Sequence, residues 1–96
     1  MDLLVSYDVC TEKPEGRRRL RKVAIICLDF GQRVQKSMFE CSLSEMDYER
    51  LRHRLIECVN PQEDSLRIYQ LPTLGSECVE HFGVKAPIDF DGALLV

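Results

Sequence analysis

The sequence predicts an α+β domain in which two helices cover one face of a single antiparallel sheet. Three observations predict it. Apolar residues repeat alternately at two-residue and helical spacing, in the order β-α-β-β-α-β. The composition, 45% hydrophobic and 30% charged, is that of a globular protein. A length of 96 residues leaves room for one core only. The chain divides into that core, residues 1–77, and a C-terminal strand with its tail, residues 78–96.

The first strand spans Leu3 to Val9, a β-branched and aromatic segment that runs into the acid Asp8. After the loop Cys10 to Lys13, Pro14 suits the first turn of a helix. From there to Phe30, residues Leu20, Val23, Ala24, Cys27 and Phe30 form one apolar stripe, with Arg18, Arg21, Lys22 and Ile25 on the opposite side. Gly31 is expected to end this helix in a left-handed turn. Arg33 to Leu43 is strand-like, with Phe39, Cys41 and Leu43 on one side and Met38, Glu40 and Ser42 on the other. It is too long for one strand, so a break is expected near Lys36-Ser37.

Ser44 caps a second helix, with Asp47 completing an imperfect capping box. Its stripe is Tyr48, Leu51, Leu55, Cys58 and Val59, and Asn60-Pro61 stops it. His53 falls opposite the stripe and reads as a surface residue. Asp64 to Leu71 is a further strand closed by Pro72, and Cys78 to Phe82 a short one ended by Gly83. The tail Ala86 to Val96 alternates apolar and acidic residues. This order is the split βαβ, ferredoxin-like arrangement, with both helices on one face of the sheet. The other face is left bare, and in so short a chain the economical cover is a second copy, giving a face-to-face homodimer.

Composition excludes several classes. The longest apolar run, Val23 to Leu28, is far below the ~20 residues of a membrane span. Asp2 with no basic stretch around it does not read as a secretory signal, so a cytoplasmic protein is expected. The five cysteines show no CxxC pair, which argues against zinc. Cys27, Cys41 and Cys58 fall at apolar positions as small hydrophobes of a reducing compartment.

The net charge of −3 hides an uneven distribution. Lys13, Arg17, Arg18, Arg19, Arg21, Lys22, Arg33 and Lys36 are opposed over their stretch only by Glu15 and Asp29. Between Glu77 and Asp91 the excess is acidic. One end of the chain can face phosphates while the other faces a basic partner. Asp8 has two readings. It is a turn former or helix cap, or it is a carboxylate ligand for a hard cation, set beside arginines that hold phosphates. The second reading points to metal-assisted chemistry on a nucleic-acid backbone.

In order along the chain, Val5-Ser6-Tyr7-Asp8-Val9, Gly16 to Ala24, Phe30-Gly31-Gln32-Arg33-Val34-Gln35, Ser37 to Cys41 and Asp64 to Tyr69 resemble the Cas-two family of CRISPR-associated proteins. The tail from Val79 through Pro87-Ile88-Asp89 looks like the branch associated with type I-C systems. The resemblance implies a ferredoxin-like homodimer whose C-terminal strand extends the partner's sheet. It implies a metal-dependent endonuclease acting on RNA or double-stranded DNA, with Asp8 binding magnesium (or manganese). It also implies an alternative role as the non-catalytic DNA-binding scaffold that bridges the Cas-one integrase in spacer acquisition.

One carboxylate per chain is a poor magnesium cage, but two Asp8 side chains at a dimer axis can share an ion. Ser6 shares the face of Asp8 and can orient water, whereas Tyr7 packs inward. Nucleic acid is expected on Arg17, Arg18, Arg19, Arg21, Lys22, Arg33 and Lys36, and partner docking on Ile88, Asp89, Phe90 and Asp91. No lysine or histidine lies near Asp8 in sequence to act as general base, so turnover should be slow.

Overall fold

The computed structural model describes residues 1–72 and 79–84. Strand β1 spans Asp2–Asp8, helix α1 Pro14–Phe30, β2 Gln32–Gln35, β3 Met38–Ser42, helix α2 Glu45–Cys58 and β4 Ser65–Leu71. The sheet order is β2-β3-β1-β4, antiparallel throughout, so the first strand made is an inner one. This is the α+β ferredoxin-like arrangement that the sequence predicts.

The strand phase decides what is buried. Leu3, Val5 and Tyr7 of β1 and Phe39 and Cys41 of β3 point to the helices and are buried. They meet Leu20, Val23, Ile26 and Cys27 of α1 and Leu51 and Leu55 of α2 in one core. The break near Lys36-Ser37 is the turn between β2 and β3, and the pairing slips by one residue between Arg33 and Gln35. That bulge, invisible to an alternation count, sets Gln32 and Gln35 on the same face. Ser44 caps α2 as expected, its Oγ accepting from the Asp47 N–H at 3.2 Å. Arg54 joins the helices through Asp29 at 3.1 Å and lies over the Phe30 ring.

Two expectations change. Gly31 is extended, at φ −161°, because α1 passes directly into β2 without a left-handed turn. Glycine is required there for another reason: a Cβ would collide with the carbonyl oxygen of Glu40. Val79 to Phe82 form no strand, although Gly83 does take a positive φ of 95°. Cys78 and the tail Ala86 to Val96, including Ile88, Asp89, Phe90 and Asp91, lie outside the described residues. No helix among the described residues is long and apolar enough to cross a membrane.

Candidate functional site

Two-residue alternation that buries Leu3, Val5 and Tyr7 puts Leu4, Ser6 and Asp8 on the open face of the sheet. Asp8 ends the strand there. It is exposed and makes no hydrogen bond or ion pair with any described residue. It therefore caps no turn or helix, and its carboxylate is available to a ligand. The register sets Ser65 of β4 opposite Asp8, and sets Met38 and Arg67 on either side of Ser6. Tyr7 points the other way. Burial, and next the neighbouring Cys27, push its hydroxyl up to about 12 against the pull of Arg33, so it is no base at neutral pH.

The carboxylate that does organise the turn is Asp64, just before β4. Its side chain is fully buried. Oδ1 accepts from the Cys10 N–H at 3.1 Å and Oδ2 from the Asn60 N–H at 2.8 Å. Arg19 donates to both oxygens, from Nε at 2.8 Å and Nη2 at 3.2 Å. Burial alone would raise the pKa of Asp64, but the Arg19 bond and the two backbone N–H groups outweigh it and hold the carboxyl below its ordinary range. The loop leaving Asp8 is thus tied to α1 and to the turn before β4.

This arrangement divides the basic residues. Arg17, Arg18, Arg21, Lys22 and Lys36 face solvent. Arg17 donates to the Thr11 carbonyl at 3.1 Å and Arg18 lies 3.7 Å from Glu15, both weak exposed contacts. Arg19 is instead committed to Asp64. Arg33 is half-buried on the helix side of the sheet, over the Phe39 ring at 5.1 Å. Neither stands with the exposed bases of α1.

Sequence reasoning also passed over Arg67 and Tyr69. They share the phase of Ser65 on the open face, and Arg67 Nη1 donates to the Tyr69 hydroxyl at 3.0 Å. Alternation within Ser65 to Leu71 was the available signal, but only the register shows which β1 residues they face.

Among the described residues no cluster of three metal-binding side chains forms. Asp8 and Ser6 offer hard oxygen donors suited to magnesium, yet amount to part of one coordination shell.

Comparison with known proteins identifies the family of the chain. A family model described as CRISPR associated protein Cas2 matches residues 1–79. The chain is 51% identical over 96 residues to the CRISPR-associated endoribonuclease Cas2 1 of Moorella thermoacetica, across the whole of both chains. It is 42% identical over 95 residues to the CRISPR-associated endonuclease Cas2 of Halalkalibacterium halodurans, across 99% of each. In three dimensions it is similar to the crystal structure of Streptococcus pyogenes Cas2 at pH 6.5, with a TM-score of 0.76 at 47% identity, covering 86% of this chain and 100% of that one.

Proposed function

The chain belongs to the CRISPR-associated Cas2 family, and on that premise we propose that it is a divalent-metal-dependent endonuclease hydrolysing phosphodiester bonds of RNA or double-stranded DNA. One observation carries the reading: Asp8 stands exposed at the end of β1 with no partner among the described residues, on the face of the sheet that no described helix covers. Relatives at 51% and 42% identity are named endoribonuclease and endonuclease.

Two copies meeting through their open faces would let two Asp8 carboxylates hold one magnesium or manganese ion. The bound ion supplies Lewis-acid polarisation of the phosphoryl oxygen and an activated water. Ser6, on the same face, orients water, and the exposed Arg17, Arg18, Arg21, Lys22 and Lys36 neutralise the backbone. Tyr7 is kept protonated by burial and no histidine follows Asp8 closely in sequence, so the chain offers no evident general base at this position and slow turnover is expected.

The experiment is cleavage of a short RNA and a duplex DNA by purified protein, with magnesium and with chelator. Asp8→Asn is expected to remove all metal-dependent cleavage, at least a hundredfold on the scale of a lost catalytic group, while thermal melting stays unchanged. Undiminished cleavage sinks the proposal.

A second reading is favoured by the solvent-facing basic residues, which bind a duplex without any carboxylate. In it the dimer is a scaffold for the Cas-one integrase during spacer acquisition, and Ile88, Asp89, Phe90 and Asp91 dock that partner as an added strand. Deleting Ala86 to Val96 is then expected to abolish co-purification with the integrase and leave the dimer and its cleavage intact. Monomerisation or aggregation on truncation would assign the tail to the dimer's own edge.

A further inference from the structure

The Asp8 side chain has no partner among the described residues, so its carboxylate is placed by the backbone alone. The sheet holds that backbone on one side only. Residue pairing with β3 ends at Ser6, followed by the Tyr7 N–H on the Ser37 carbonyl at 3.1 Å, and at Asp8 itself Ser65 of β4 is the residue opposite. The next two residues leave the sheet and are fixed by other means. Val9 is buried in the core. The Cys10 peptide is gripped twice. Its N–H donates to Asp64 Oδ1 at 3.1 Å, and its carbonyl lies so close to α1 that a Cβ at Gly16 would strike it. Asp64 directly precedes Ser65, so the acid that holds Cys10 and the residue that faces Asp8 are chain neighbours.

Arg19 makes this grip rigid. The Asp64 side chain is fully buried and that of Arg19 is 17% exposed. The guanidinium donates to both carboxylate oxygens, while Glu63 stands 3.7 Å from its Nη2. A planar guanidinium bound in this bidentate way fixes the carboxylate in rotation as well as in place. Stability is a poor account of such a pair, since two charges taken out of water gain little over apolar packing of the same volume. What the pair supplies is direction for the Cys10 N–H, two residues beyond Asp8.

We propose that Asp64 and Arg19 are positioning residues of the Asp8 site, fixing the loop that leaves β1 so that the carboxylates of two copies converge on one divalent ion. The proposal rests on the metal-dependent reading above. It needs no access to the face between the copies, because Asp64 is buried within one chain and Arg19 is committed to it. Any displacement of Asp8 occurs once in each copy and so counts twice at a shared ion.

Mn²⁺ binding by the full-length protein is followed through the electron paramagnetic resonance of the free ion, with each variant held well below its own melting midpoint and sedimented alongside. Asp64→Asn keeps the shape of the side chain and loses its charge and one acceptor. It is expected to raise the half-saturating Mn²⁺ concentration about tenfold, the lower end for a group that orients a metal ligand. Where Asp64→Asn does not fold, Arg19→Gln takes its place, because it leaves Asp64 to accept from Cys10 and Asn60. Arg19→Lys, which keeps the charge but not the fork, should fall between Arg19→Gln and wild type. A merely structural role predicts a lower melting midpoint with the wild-type Mn²⁺ curve, and that outcome overturns the proposal. A variant whose assembly differs from wild type assigns the loss to the interface and also overturns it.

Cleavage of a short RNA gives a second readout. Arg19→Gln is expected to lower kcat about tenfold and leave KM alone. A raised KM at unchanged kcat would make Arg19 a contact of the nucleic acid, and the proposal would fall. The two readings fail differently. If Asp8→Asn binds Mn²⁺ as wild type does, the ion is not held at Asp8, and the metal-dependent reading falls together with this one. If Asp8→Asn loses the ion while Asp64→Asn and Arg19→Gln keep it, the positioning role alone is wrong.

Discussion

Two aspartates near one end of the sheet have opposite surroundings, and their difference is instructive. Asp8 is exposed with no partner among the described residues, while the Asp64 side chain is buried and accepts four hydrogen bonds. Replacing Asp64 by alanine orphans the Cys10 and Asn60 N–H groups, at roughly 1 kcal/mol each. The expected loss is measured as a lower urea midpoint at neutral pH. Acid should mimic it. The folded carboxyl of Asp64 lies below its unfolded value, so its stabilisation is complete above the unfolded range and is lost as pH falls through the depressed one. Midpoints taken from pH 7 down to pH 3 should fall in wild type and flatten in Asp64→Asn. An equally steep decline in the variant would place the acid sensitivity elsewhere. From sequence, Asp64 looked like the first residue of a strand, and Arg19 like one of five similar bases. Their bond joins residues 45 positions apart, a distance that no local pattern encodes.

At the scale of elements, most of the architecture was legible. The alternation in β1, the stripe of α1, the cap at Ser44 and the break at Lys36-Ser37 are all short-range signals, and each element took its expected type. What escaped were features set by packing between elements. Gly31 was read as a turn former but is a point of close approach to β3, and Gly16 is its counterpart at the start of α1, where a Cβ would strike the Cys10 carbonyl. Ile26, outside the predicted stripe, is buried because α1 is covered on more than one side. The outer face of α1 remains charged at Arg18, Arg21 and Lys22. Reversing Arg18 and Arg21 to Glu should weaken duplex binding and cut its salt slope by about 2, with melting unchanged. If titrations from low to moderate salt superimpose on wild type, nucleic acid does not lie on this helix.

For the whole molecule, the decisive asymmetry is between the two faces of one sheet. Helices cover one; Leu4, Met38, Tyr69 and Leu71 remain together on the other. Burying such a face against a second copy is the role proposed for it, and Leu4→Arg is expected to convert a sedimenting dimer to monomer while circular dichroism stays folded. A variant that still sediments as wild type would mean the copies meet elsewhere. Sequence indicated that a face would be bare, because six elements in this order place both helices on one side. It could not indicate which polar residues would line that face, since Arg67 reaches the row of Ser6 only through the antiparallel register of β1 with β4.

The bond between Cys10 and Asp64 spans 54 residues, and this has a bearing on how the protein is made. On the ribosome the segment bearing Asp8 emerges well before the residues that fasten its loop. Until Asp64 and β4 follow, β1 lacks the neighbour on one edge, Arg67 is absent from the face, and Arg19 has no carboxylate to grip. A nascent or truncated chain ending short of residue 64 therefore carries the acid without its frame. The frame around the acid is complete only once translation has delivered β4.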